Sequence, residues 1–272
     1  MIKKKSRILR PVSKIILAVI YVVPILWIIL TSFKSSQDVF TTQASVIFKP
    51  TFENYRGLMT KHLLEAVLNS LKIATGCTII TLIVAVPAGF MLARSRRSIL
   101  IFGLTLLIIL QMVPQTASII PLFQVFHTIG LLDNIVSVIL ADAALLTPFA
   151  ILLLRPFFRN VPYVLEEAAQ IDGSSRWQIF TKISLPLARN GIATTATLVF
   201  IISWGEFLFA INLILSPNSY PMSAILAQQV GGFGIFWPGL MALSVLASLP
   251  IAILFLFTYR LLKDGLTLGA VK

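Results

Sequence analysis

The chain has 272 residues, of which 57% are hydrophobic and only 12% charged, with a formal net charge of +12. A soluble domain is about 45–50% apolar and about 25% charged, so a water-exposed globule is excluded and a polytopic membrane protein is expected. The single cysteine, Cys77, excludes an internal disulfide and a cysteine-based zinc site, and His62 and His127 match no metal-ligand spacing.

The start, Met1-Ile-Lys-Lys-Lys, is basic, but the apolar run behind it has full membrane length and no small-residue cleavage site. A cleavable signal is therefore not expected. A helix needs about 20 mostly apolar residues to cross the hydrocarbon. Six segments qualify: Ile15–Phe33, Ile73–Ala93, Ile99 to about Pro121, Ile135–Leu154, about Asn190–Leu215 and Gly239–Tyr259. Pro24, Pro87, Pro148 and Pro250 fall inside them, where neighbouring helices re-satisfy the freed backbone groups. Runs this continuous do not suit alternating barrel strands. The expected fold is an all-α membrane protein of six transmembrane helices.

Lys and Arg set the orientation. Six lie between Lys3 and Lys14, three at Arg94–Arg97, five between Arg155 and Arg189, and three between Arg260 and Lys272, which makes 17 of 22. The third and fifth connections have none. Positive-inside bias places both termini and the second and fourth loops in the cytoplasm, so the excess charge is a topology signal rather than a nucleic-acid footprint. The first external loop, about Lys34 to Leu71, is long and mixed polar. The fifth connection, Ser216–Pro238, reads as a turn, a short helix around Ser223–Val230 and a flexible return through Gly231, Gly232 and Gly234. No internal repeat is visible. One membrane domain is expected over 1–272, with a basic N-terminus at 1–14, a cytoplasmic loop at 160–189 and a cytoplasmic tail at 260–272.

The fourth loop is the most informative. Pro162 suits a first helical turn, and Glu166 and Glu167 complement the positive end of the helix that follows. Leu165, Ala168 and Ile171 form an apolar stripe. Gly173 fits a left-handed helix end, Ser174 or Ser175 a cap for a second helix, and Trp177, Phe180 and Ile183 a shared face. Pro186 breaks into the next span. A short helix, a glycine turn and a second helix are predicted on the cytoplasmic surface.

This segment resembles the EAA signature of permease subunits of binding-protein-dependent ABC importers, whose pattern is Glu-Ala-Ala, three residues, Gly, nine residues, Ile-x-Leu-Pro. Glu167, Ala168, Ala169, Gly173, Ile183, Leu185 and Pro186 match at every spacing. The resemblance implies a coupling helix, with Asp172 beside its turn, that docks on a cytoplasmic ATPase. Small Ala168 and Ala169 permit close approach, and Glu167 offers a charge-assisted hydrogen bond. The bland alternative is an amphipathic helix lying at the lipid interface.

The rest of the chain is similar to the carbohydrate-uptake branch, in particular the G-type subunit of maltose-like importers. The residues that carry this are Asn54-Tyr55, Asn69-Ser70, Ala88 to Arg94, Ile120-Pro121-Leu122, Gly130 to Asp133, Trp204 to Ala210 and Gly265 to Lys272. Gly205 departs from the family, which more often has Asn after the Trp. The resemblance implies half of a translocation pathway. Its partners would be a second permease, two ATPase subunits that bind ATP and magnesium, and an extracytoplasmic binding protein. No cofactor is expected on this chain, and it is not expected to be an enzyme: no Gly-Lys dipeptide occurs, hence no Walker A loop. The resemblance implies a prokaryotic cytoplasmic (inner) membrane location, multi-pass with both termini cytoplasmic.

Intramembrane acids are functional candidates by default. Glu206, with Trp204, Phe207 and Asn212 nearby, either lines the pathway or locks helices together by a buried hydrogen bond. Asp142 reads more readily as structural. Trp27, Tyr220, Trp237 and Tyr259 read as an interfacial belt rather than sugar platforms. A permease for a polyol or glycerol-phosphate type of solute, and a stand-alone secondary transporter, are the alternatives. The second usually shows repeats and an embedded ion site.

Overall fold

The computed structural model describes residues 2–41, 46–230 and 235–270, with side chains at 14, 16–39, 46–230 and 235–259. The basic side chains before Lys14 and after Tyr259, and the return through Gly231, Gly232 and Gly234, lie outside these positions. Among the described residues the chain is all-helical. In order come α1 (Ile2–Ser32), α2 (Ser36–Thr41), α3 (Glu53–Leu58), α4 (Lys61–Ala93), α5 (Arg97–Gln111), α6 (Gln115–Thr128) and α7 (Ile135–Arg159). Then follow α8 (Tyr163–Ile171), α9 (Arg176–Ile179), a π-helical stretch (Phe180–Ser184), α10 (Leu185–Leu187), α11 (Arg189–Gly205), α12 (Leu208–Leu213), a 3₁₀ turn (Pro217–Ser219), α13 (Met222–Gln228) and α14 (Trp237–Ala270).

Among the described residues three helices are long and apolar enough to cross a membrane: Lys61–Ala93, Ile135–Arg159 and Trp237–Tyr259. Two bent pairs raise the number to five if each pair is one span, and Ile16–Ser32 is a shorter apolar helix. Two of the predicted spans are thus not continuous. The third bends by 87° between α5 and α6. Pro114 has no N–H to give and drives the residue before it out of helical geometry; it caps α6 from an extended backbone, φ −63° and ψ 134°. The fifth breaks at Glu206, whose φ of −68° and ψ of 128° stop α11 before α12 begins. Helical structure also runs past the predicted end of the sixth span, through Ala270.

The chain divides into two compact units, residues 1–64 with 226–250 and residues 65–225 with 251–272. In the first, Asn54 ties the end of α1 to α3: its amide donates to the carbonyls of Ser32 at 2.8 Å and Lys34 at 2.9 Å. The Tyr55 and Ser32 hydroxyls meet at 2.6 Å. Phe33 packs edge-on to Phe52, and the buried Lys34 ammonium sits 4.7 Å from the centre of the Trp27 ring, a cation–π contact.

The second unit is built on α4, α7 and α11. Small residues let these helices approach closely, as at membrane helix interfaces generally. A Cβ on Gly89 of α4 would lie 3.1 Å from Cβ of Leu154 on α7, and one on Gly191 of α11 would fall 2.2 Å from Cγ of Phe157 on α7. Polar residues share the interior with apolar ones, and the outer surface is apolar. Thr81, Ser137, Asp142, Thr194, Thr195 and Ser203 are buried, whereas α5 buries nothing and presents Ile101, Phe102, Ile108 and Ile109 outward. The helical threonines spend their hydroxyls on their own backbone: Thr194 bonds the Asn190 carbonyl and Thr195 that of Gly191. An apolar outer surface and buried threonines bonded to their own backbone fit a helix bundle solvated by lipid.

Candidate functional site

The 160–189 loop forms the predicted helix–turn–helix, with the details set by local chemistry. Pro162 caps α8 rather than opening it. At the far end Gly173 takes a φ of +84°, and Ser174 N–H reaches back to the Ala169 carbonyl at 2.9 Å. This glycine-terminated end satisfies carbonyls the helix would leave open. Nothing lies within 4 Å of a Cβ placed on Gly173, so the backbone rather than crowding demands glycine there. Ser175 closes a reciprocal capping box with Gln178, with bonds of 2.8 and 3.3 Å. The next turns widen into the π-helical stretch. Pro186 cannot donate to the carbonyl four residues back, and Leu185 N–H bonds Phe180 five residues back. Phe180 fills the space this opens, 5.0 Å from Phe90 between ring centres. The chain then turns by 74° into α11.

The apolar stripe of α8 faces outward, a direction the sequence pattern left open. Its single buried residue is Glu166, 3% exposed. Val164, Leu165 and Ile171 point outward, Ile171 at 86% exposed. The stripe of Leu165, Ala168 and Ile171 is therefore on the outer surface, and Trp177, though exposed, shares a face with Phe180 as predicted, their ring centres 5.4 Å apart. Arg94 is the cause. From the end of α4 its guanidinium grips Glu166 bidentately, Nε to Oε2 at 2.8 Å and Nη2 to Oε1 at 2.7 Å. Ser184 Oγ donates to Oε1 at 2.8 Å, and Arg94 Nη2 also donates to the Val161 carbonyl at 3.1 Å. A fork-on-carboxylate pair this well satisfied overrides hydrophobic patterning. Glu167, Ala168 and Asp172 are exposed, Ala169, Ile183 and Leu185 half-buried, and Pro186 exposed. Local sequence reasoning missed Arg94 and Ser184, although Arg94 ends a segment that carried the family resemblance.

A second polar group lies within the bundle. Glu206 stands at the α11–α12 break, where its Oε1 accepts from Gln115 Nε2 and from Phe209 N–H, each at 2.8 Å. Its Oε2 is buried without a partner. Asp142 on α7, 1% exposed, accepts from Ser203 Oγ at 2.6 Å. The two acids share the wall of one cavity of about 280 Å³ with Gln115, Gly205 and Phe207. Trp204 is buried and stacks on Phe200 at 6.0 Å, and Asn212 bonds the Leu208 carbonyl of its own helix at 2.7 Å; neither lines the cavity. Gln115 joins only because the chain folds back at Pro114. No cluster able to hold a metal ion occurs among the described residues.

Other resemblance residues are tie-points between connections. Asn69 donates to the Asn218 carbonyl at 3.1 Å, and Ser70 Oγ accepts from Met222 N–H at 2.9 Å. Asp133, at a φ of +58°, accepts from Ser216 N–H at 2.7 Å, Leu215 N–H at 2.9 Å and the Ser216 hydroxyl. These hydrogen bonds, that of the Ser216 hydroxyl first, hold its carboxyl below the usual carboxylate range.

An all-helical bundle with an apolar outer surface, buried acids and a surface helix carrying Glu167-Ala-Ala defines an integral membrane transport subunit rather than an enzyme. The chain belongs to the family of binding-protein-dependent transport system inner membrane components, whose model matches residues 85–267. It is 34% identical to the trehalose transport system permease protein SugB of Mycobacterium tuberculosis over 92% of this chain and 92% of that one. It is 32% identical to the trehalose/maltose transport system permease protein MalG of Thermococcus litoralis, over 98% and 97%. A crystal structure of a bacterial ABC transporter that imports the acidic polysaccharide alginate shares the fold, with a TM-score of 0.78 at 24% identity over 94% of this chain and 96% of that one.

Proposed function

We propose that this chain forms half of the translocation pathway of a carbohydrate importer and receives its energy through the 160–189 loop. Six spans follow if α1 from Ile16 onward and each bent pair count as one crossing, and the Lys and Arg distribution sets both termini in the cytoplasm. In this reading α8 and its glycine turn are the coupling helix. Glu167, Ala168, Ala169, Asp172 and Gly173 face the ATPase, and Ile183, Leu185 and Pro186 set the angle at which the loop returns to the membrane. A second, non-identical permease completes the pathway, two ATPase subunits hold ATP and magnesium, and a binding protein delivers solute from outside. Trehalose, maltose and alginate, named for the similar proteins, support a carbohydrate as that solute. The cavity at Asp142 and Glu206 is this chain's contribution to the passage.

The observation that carries the reading is the outward apolar face of α8. A helix that buries its carboxylate and turns Val164, Leu165 and Ile171 outward is costly to leave exposed to water; a partner surface removes that cost. The test is a tagged purification from native membranes in mild detergent, with mass spectrometry of what co-elutes. An ATPase and a second polytopic permease are expected in stable association. A homogeneous preparation that lacks an ATPase and still transports in liposomes would refute the reading.

A further inference from the structure

We propose that Arg94 is a positioning residue for energy coupling: it fastens α8 to the end of α4, so that displacement of the docked helix is delivered to the second span. This rests on the coupling reading above and adds to it the element that receives the motion.

Glu166 is the one fully buried residue of α8, so its carboxylate is the main polar attachment on the inner face of the helix. Three elements meet on it. Arg94, just past the end of α4, occupies both oxygens, Ser184 of the π-helical stretch shares Oε1, and Arg94 also holds the Val161 carbonyl just ahead of α8. The Tyr163 ring covers the guanidinium at 5.8 Å. Apolar packing on this face would allow the helix to roll or slide. A planar fork on a carboxylate fixes orientation as well as distance, so α8 and the end of α4 move together. The covalent route is looser, since α8 is bounded by Pro162 and by the turn at Gly173. The ATPase-facing residues, Glu167, Ala168 and Asp172, point away from the fork, so altering it leaves the docking surface intact.

The test uses the complete transporter with its ATPase subunits and binding protein in proteoliposomes, comparing wild type, Arg94→Lys and Ser184→Ala. Lysine keeps the charge that neutralises Glu166 but supplies a point charge in place of a fork. The readout is solute transported per ATP hydrolysed, with complex yield and thermal stability measured alongside. In Arg94→Lys the ATPase is expected to persist while transport per ATP falls by at least about fivefold, the lower end of couplings carried between sites. Ser184→Ala is expected to fall less, in the same direction. A purely structural role would lower yield, hydrolysis and transport together and leave the ratio unchanged, and that result overturns the proposal. So does an intact Arg94→Lys complex with the wild-type ratio. A wild-type preparation without ATP-dependent uptake would instead sink the coupling reading, and this proposal with it.

Discussion

Gly191→Ala is a one-carbon change for which two effects of similar size pull in opposite directions. Replacing glycine in a helix ordinarily stabilises by up to about 1 kcal/mol, because alanine loses less backbone freedom on folding. At Gly191 the new Cβ would fall 2.2 Å from Cγ of Phe157 and 2.5 Å from Cδ1. Those atoms are the root of the ring, so a small rotation does not clear them, and the whole side chain or the α7–α11 spacing must shift. Overpacking of this kind costs about 1–3 kcal/mol, and with both contacts at the ring root its upper range applies, so a net loss of up to about 2 kcal/mol is expected. In a Phe157→Ala background the obstruction is gone, and the same substitution should become neutral or stabilising. The assay is unfolding in mixed micelles followed by circular dichroism, run on all four members of the cycle. A Gly191→Ala protein more stable than wild type, or an equal effect in both backgrounds, would refute the reasoning.

Three further outcomes are expected. The Asp133 carboxyl is held below its usual range, so its contribution to stability is full above about pH 4, the unfolded value, and is lost as pH falls through the folded value; the melting-temperature difference between wild type and Asp133→Asn should be flat above that point and shrink below it. Ser175→Ala removes the capping box and should destabilise α9 locally by about 0.5–2 kcal/mol, read as faster amide exchange confined to 175–179. Glu206→Ala leaves the Phe209 N–H and the Gln115 amide without an acceptor, a penalty of about 1–3 kcal/mol, whereas Glu206→Gln keeps one. Uptake in proteoliposomes should fall further in the alanine variant, and equal uptake by the two would show that these bonds do not shape the passage.

Hydropathy made the bundle legible, down to the start of α7 at Ile135, where Asn134 caps the helix by accepting from Val136 N–H at 2.9 Å. It did not reveal the breaks. The apolar stretch runs through Met112 and Val113 to Pro114, and a hydropathy window averages over the one missing N–H that turns the chain. At Glu206 the signal was present in a glycine followed by a charge, but the same pair inside a long apolar run also suits an intramembrane acid on an unbroken helix. The helix–turn–helix of the 160–189 loop was legible because its determinants are local: Pro162, Gly173, and Ser175 with Gln178. The facing of α8 was not, since it depends on Arg94, 72 residues before Glu166. Local periodicity groups the apolar residues on one face without saying which way it points, and a distant cation decides that. The shared cavity of Asp142 and Glu206 was hidden for the same reason, as it needs Gln115 to return past the bend.

The tie-points at Asn54, Asn69, Ser70 and Asp133 have one property in common: nearly every group they hold is backbone. Asn54 takes the carbonyls of Ser32 and Lys34, Asn69 that of Asn218, Ser70 the N–H of Met222, and Asp133 those of Leu215 and Ser216. A clasp of this kind is blind to the side chain on the far side. Position 215 or 218 could change its size, charge or polarity and still be held in the same place, because every residue brings a carbonyl and all but proline an N–H. The connecting surface is thus free to vary what it displays while its frame stays fixed, which suits a subunit whose relatives work with different solutes.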